Sequence, residues 1–198
     1  MSIAGKNNPF DSWALWATPA FCLYARLPVV KRNISFALAL VLLTMTFVHA
    51  TTVQRLSLED LVKKAHHIVS GKVRNSRTYW SDNGKLILTN YTVEVEETIK
   101  GQSPRTFEVT TIGGKVGERE LHVSGMPSFE KGENIVVFTE SSGSYEVVLG
   151  LGQGKFKIEN GQVFNDVSAL SFPDGRPGNV LKLPVETFKN QIRNILAR

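Results

Sequence analysis

Apolar and polar side chains alternate from Tyr91 to Ile99, and this alternation constrains the fold more than any other feature of the chain. The apolar members are Tyr91, Val93, Val95 and Ile99, and the polar members between them are Thr92, Glu94, Glu96 and Thr98. Successive side chains of a strand point to opposite faces of a sheet. The pattern therefore predicts a strand with one buried face and one face in water.

Further segments of the chain have the composition of strands, and turn signals separate them. They read HIVSGKV, TFEVTTIGG, ENIVVFTE, YEVVLGL and KFKIENGQVF. Ile135 to Phe138 is a continuous apolar run, which predicts a strand covered on both faces at the centre of the sheet. Ser81 to Gly84 should join the first two strands as a hairpin, and Asn160-Gly161 favours a type I′ turn.

Two helices are predicted at the ends of this β-rich region. Ser57 and Asp60 fit a capping box that opens a short helix reaching His66. A second helix begins at Pro184, which we place at the first helical position, and its apolar stripe consists of Val185, Phe188, Ile192, Ile195 and Leu196. We predict a mainly β domain of five to seven strands. It is a curled antiparallel sheet or a small OB-like barrel, with a short N-terminal helix and a C-terminal amphipathic helix.

The first 50 residues have the form of an export signal. Lys31 and Arg32 precede the apolar run from Ile34 to Val48, and small residues follow at Ala50. The run is short for a membrane-spanning helix, which needs about 20 apolar residues, although an uncleaved anchor is the alternative. We predict cleavage after Ala50 and a mis-assigned translation start upstream. Residues 51–198 then form a single domain, periplasmic or secreted, that meets the membrane only through the signal peptide.

Charge and cysteine content narrow the class of protein further. Once the leader is set aside, 19 basic and 17 acidic residues remain, and no basic run or stripe is present, so we expect no nucleic-acid partner. Cys22, the single cysteine, lies in the leader. An exported domain without cysteine has no disulfides, so packing and sheet hydrogen bonds must hold it together.

Two glycine-rich segments resemble phosphate-binding loops but lack the required spacing. Neither Gly113 to Gly117 nor Gly150 to Lys155 matches G-x-x-x-x-G-K-[ST] or G-x-G-x-x-G. We interpret Gly113-Gly114 as the end of one strand, Gly117 as a reversal, and Glu118 to Val123 as a short returning strand. No cofactor is expected.

Catalytic and metal signatures are weak. The serines stand in no G-x-S-x-G elbow, and the alternating glutamates Glu118 and Glu120 are typical of a solvated strand face. His66, His67 and His122 could together bind zinc, but the sequence has no HExxH motif and no cysteine beside them. We therefore expect no catalytic residues and no metal site, and keep an exported hydrolase or metal-dependent enzyme near these histidines as an alternative.

Four residues are candidates for contact with a partner. Tyr79 and Trp80 directly precede the predicted hairpin turn, and aromatic side chains of this kind dominate interface hot spots. Trp80 could instead fold back over the end of the barrel. Lys115 and His122 belong to the segment after Gly114, which should be accessible.

The chain resembles two groups of proteins. LEDLVKKAHHIVSGKV, YTVEVEETIKG, SGMPSFEKGENIVVF and LGLGQGKFKI are similar to a family of uncharacterised exported bacterial proteins over most of residues 57–164. The order of helix, AHHIVSGKV and a strand ending in Lys100-Gly101 resembles the netrin-like modules and tissue inhibitors of metalloproteinases, which implies an OB-type barrel. Those inhibitors chelate zinc through an N-terminal cysteine, whereas Thr51 has no thiol.

These features together favour an exported, non-enzymatic binding domain. Its partner would be a protein or an envelope component, contacted through Tyr79, Trp80, Lys115 or His122. A purely structural role in the cell envelope is a further alternative.

Overall fold

The computed structural model describes residues 53–178 and 180–198, so the predicted signal segment lies outside the described residues. Within them the protein is mainly β. The two helices are α1 (Leu58–Lys64) and α2 (Val185–Leu196). The strands are β1 (His67–Trp80), β2 (Ile87–Lys100), β3 (Thr106–Ile112), β4 (Gly114–Val116), β5 (Arg119–Leu121), β6 (Asn134–Ser142), β7 (Tyr145–Val148), β8 (Lys155–Glu159), β9 (Gln162–Phe164) and β10 (Lys182–Pro184).

Five strands form a closed ring in one mixed sheet. β1 pairs with both β2 and β6, β2 pairs with β3, and β6 pairs with β7, all antiparallel. A parallel contact between β3 and β7 closes the ring. From β6 the sheet continues outward through β8, β9 and β10. The predicted mainly β class with a helix at each end is confirmed.

The apolar alternation of β2 is explained by the interior of this ring. Tyr91 and Val93 are buried there and Val95 packs beside them, together with Val73 and Phe107 from the flanking strands. β6 is covered on both faces, as predicted. Ile135 and Val137 face the ring, whereas Val136 and Phe138 lie against the helices.

The helices pack together over the outer face of β6 and β8. Ser57 accepts from the Asp60 amide while the Asp60 carboxylate accepts from the Ser57 amide, so the predicted capping box is confirmed. Phe188 of α2 is fully buried, with its ring centroid 4.6 Å from that of Phe156. Pro184 precedes the helix in an extended conformation instead of occupying its first position, because it also ends β10. No helix of the described residues is long and apolar enough to cross a membrane.

The turn chemistry follows the predictions closely. Asn160 and Gly161 both have positive φ, at 50° and 73°, which is the conformation of a type I′ turn. β3 ends at Ile112, and Gly117, with φ of 59°, joins β4 to β5 as a small hairpin. The glycine-rich stretch is therefore a short two-stranded hairpin with its turns. Ten strands are assigned in the described residues against the five to seven predicted, because four of them are only three residues long.

Candidate functional site

The β4–β5 hairpin lies beside the tip of the β1–β2 hairpin, and this arrangement decides the surroundings of Trp80. The side chains that border the space between the two hairpins are Trp80, Lys85, Ile87, Arg119, Glu120 and Leu121. Trp80 keeps 38% of its surface exposed, and Leu86 on the same tip keeps 40%. Trp80 is thus covered over most of its surface by its own domain, and the remaining part is available to a partner.

Lys115 and His122 belong to the same region as Trp80. Lys115 pairs with Glu120 across the β4–β5 hairpin, and His122 directly follows β5, with both side chains exposed. The structure therefore brings three of the four predicted contact residues into one neighbourhood.

Tyr79 is separated from Trp80 because consecutive strand residues point to opposite faces of β1. Its side chain is half-buried and lies near Arg77, whose guanidinium is 5.7 Å from the ring centroid. Burial raises the pKa of the Tyr79 phenol, and the neighbouring Tyr145 adds to the rise. Asn90 shares this face; it donates through Nδ2 to Glu108, while its Oδ1 has no hydrogen-bond partner among the described residues.

Tyr79 lines a cleft at the one place where the ring of strands is weakly joined. β3 and β7 share a single bridge pair, Thr110 with Val147. The cleft beside this bridge has a volume of about 520 Å³. Side chains from both strands line it, including Phe107, Glu108, Tyr145 and Glu146. His67 and Tyr79 of β1 and Asn90 of β2 also contribute to the lining. We call this cleft the β3–β7 seam.

A cluster of two histidines and a carboxylate lies at one end of the seam. Glu146 of β7 places one carboxylate oxygen 3.3 Å from Nδ1 of His66 and the other 3.3 Å from Nδ1 of His67. The His66 Nδ1 atom is also 2.6 Å from the Ser141 hydroxyl, which in turn contacts Glu146. Burial, the largest single influence, acts to raise the pKa of Glu146, but hydrogen bonds that its carboxylate accepts from Ser141, Thr139 and the two histidines outweigh burial, and the net pKa is lowered.

The Lys100-Gly101 pair that ends β2 supports this cluster. Lys100 donates through Nζ to the carbonyl oxygens of Val62 and Lys63, at 2.8 and 3.0 Å, and so caps the C-terminal end of α1. Gly101 has a φ of 80°, and a Cβ there would come 2.5 Å from the His67 ring. Glycine therefore provides both the turn and the space for the imidazole.

His122 does not belong to the histidine cluster. The β4–β5 hairpin that precedes it packs near Thr78, toward the end of β1, whereas His67 is the first residue of that strand. The group that the structure brings together is His66, His67 and Glu146. Sequence reasoning missed Glu146 because it is about 80 residues away in the chain and stands in an ordinary alternating strand.

Comparison with known proteins identifies no relative of this chain. No protein-family model, no curated protein and no solved structure matches it. The two resemblances noted in the sequence therefore remain expectations about fold and setting.

Proposed function

We propose that the protein is an exported, non-enzymatic binding domain whose partner is a protein segment bound in extended form along the β3–β7 seam. The observation that carries this proposal is the single bridge pair between β3 and β7 in a ring that is otherwise closed by antiparallel ladders. The export part of the proposal rests on the N-terminal sequence pattern.

The edges of β3 and β7 are suited to an extended peptide. β3 is paired along its length with β2, but its other edge meets β7 only at Thr110. A strand edge offers main-chain donors and acceptors in a row, and an added strand from a partner can pair with them. The adjacent cleft has room for the partner's side chains.

The side chains of the seam suit protein recognition as well. Tyr79 and Tyr145 both line it, and tyrosine is enriched at interfaces because it offers a rigid apolar ring together with a hydroxyl. Asn90 adds a side-chain oxygen that has no hydrogen-bond partner among the described residues.

Adjacent substitutions on opposite faces of β1 test the proposal. Peptides selected from a random library against the purified protein would be labelled, and their Kd measured by fluorescence anisotropy. We expect Tyr79→Ala to weaken binding by about tenfold or more, as for an interface hot spot. Trp80→Ala, the matched control, should bind as the wild type does. Thermal unfolding of both variants verifies that each is folded.

Amide chemical shifts locate the bound peptide independently of the substitutions. Addition of peptide should shift the amide signals of Thr106 to Thr110 and of Tyr145 to Val148. Shifts confined to Trp80 to Leu86 and to Arg119 to His122 would contradict the seam. They would favour instead the second candidate surface, formed by exposed Trp80 and Leu86 beside Lys115 and His122.

A further inference from the structure

The histidine cluster has the donor set of a transition-metal site. His66, His67 and Glu146 each offer one ligand atom, and these atoms lie within 4.8 Å of one another. Two imidazoles and a carboxylate suit zinc and the neighbouring divalent metals better than calcium or magnesium, which prefer oxygen ligands alone.

Each histidine lies at a ligand-to-ligand distance from one oxygen of the Glu146 carboxylate. An ion about 2.0 to 2.1 Å from two ligand atoms at the tetrahedral angle separates those atoms by about 3.3 to 3.4 Å. One oxygen of the Glu146 carboxylate lies 3.3 Å from Nδ1 of His66, and the other lies 3.3 Å from Nδ1 of His67. A single ion would replace these hydrogen bonds once the three ligand atoms, which lie within 4.8 Å of one another, draw closer together.

Neighbouring groups hold the ligands in this arrangement. The Thr139 hydroxyl donates to Glu146 at 2.8 Å, and the His66 amide donates to the Thr139 carbonyl at 2.7 Å. The Phe107 ring contacts the His67 ring edge to face, with centroids 5.3 Å apart. Groups that orient metal ligands in this way raise metal affinity because less order must be gained on binding.

We propose that His66, His67 and Glu146 form a binding site for a divalent transition metal such as Zn²⁺. The His66 side chain is 62% exposed, against 15% for His67 and 20% for Glu146, so an ion can enter from solvent. Three protein ligands leave a further position, which water or the Ser141 hydroxyl can occupy.

Metal uptake by the purified protein tests this proposal. Equilibrium dialysis against Zn²⁺ followed by elemental analysis should give one ion per chain, and Co²⁺ should develop the visible absorption of a nitrogen- and oxygen-coordinated ion. We expect Glu146→Gln to lower zinc affinity by at least about tenfold, since changes even to groups behind the ligands have effects of that size.

Two further variants keep the result interpretable. His66→Gln changes an exposed side chain, so it should remain folded and still lose at least about tenfold in affinity even where Glu146→Gln is unstable. His122→Gln removes an exposed histidine outside the cluster and should bind zinc as the wild type does. The proposal would be wrong if the wild-type protein bound no stoichiometric zinc, or if His66→Gln and His122→Gln lost zinc affinity to the same extent. Peptide binding at the seam is measured separately, so either proposal can fail alone.

Discussion

A buried ion pair between Glu133 and Lys155 fixes the long loop between β5 and β6 against the sheet. The Glu133 side chain is 4% exposed and lies 2.8 Å from Nζ of Lys155, which is 18% exposed. Glu133 also accepts from the Glu130 amide, and Lys155 donates to the Ser128 carbonyl. The pair thus connects two points of the loop to β8, and Lys155 lies over the Phe129 ring.

We predict that Glu133→Gln lowers the free energy of unfolding by about 3 kcal/mol, because it leaves a largely buried ammonium without its carboxylate. Urea unfolding at neutral pH measures the change. Glu159→Gln is the control, since its pair with Lys157 is at the surface and contributes little. Equal free energies of unfolding for the two variants would show that the buried pair stabilises the fold no more than the surface pair does.

Among the elements, β1 pairs with β2 along one edge and with β6 along the other, so its backbone must fit two ladders at once. Its register with β2 shifts at three places, including the step from Ser70 to Gly71. Gly71 pairs with both Val95 and Ile135. A Cβ at this position would collide with the backbone carbonyl oxygen of Glu94. Glycine therefore allows the backbone of β2 to lie this close to β1 at the register shift.

Replacing Gly71 by alanine should separate β1 from β2 and cost roughly 3 kcal/mol of folding free energy, at the upper end for overpacking. Gly84→Ala provides the comparison. Its positive φ makes alanine strained by about 1 kcal/mol, but open space surrounds the position, so no backbone has to move. Thermal and urea unfolding of both variants would show the difference, and a loss at Gly71 no greater than at Gly84 would refute the explanation.

Local features of the elements were predictable, whereas their curvature was not. The Ser57 capping box and the Asn160-Gly161 turn depend on residues close in sequence, and both are present as predicted. The alternation of β2 correctly indicated its buried face at Tyr91, Val93 and Val95, whereas Ile99 packs with the residues beneath the helices. The register shifts between β1 and β2 leave Glu96 and Ile99 of β2 and Arg74 of β1 without a partner in this ladder, and the local pattern gives no sign of them.

At the scale of the whole molecule, carboxylates stabilise both long-range and local contacts. Glu97 of β2 contacts Lys189 and Arg193 of α2, whereas Asp166 accepts from the side chain and amide of nearby Ser168. Burial tends to raise the pKa of Glu97, but the hydrogen bonds from Lys189 and Arg193 outweigh it, and the net pKa is lowered. The pKa of Asp166 is lowered mainly by the Ser168 hydrogen bond.

We expect the protein to lose stability in acid. Because these carboxyl groups have lower pKa values in the folded state, the unfolded chain binds more protons in acid, and the free energy of unfolding rises with pH. The contribution is complete above about pH 5 and is lost as the pH falls below about 4. Urea unfolding across this range measures the slope. Glu97→Gln should make the slope shallower, and an unchanged slope would contradict the role assigned to Glu97.

The candidate sites were only partly predictable from sequence. Tyr79 and Trp80 were both candidates for contact with a partner, and the alternation of β1 places them on opposite faces. His66 and His67 were recognised, whereas Glu146 reaches them only through the β6–β7 hairpin and the closure of β6 against β1. Contacts that depend on ring closure join residues far apart in the chain, so local pattern cannot reveal them.

The single bridge between β3 and β7 also has a consequence for the motion of the folded state. The other joints of the ring are ladders of four or more paired residues, whereas this joint is one pair. The circumference of the ring can therefore increase at the seam while the four ladders stay intact. Local openings of this kind need far less free energy than global unfolding. Amide hydrogens that face the seam should accordingly exchange with solvent long before those of the β1–β6 ladder.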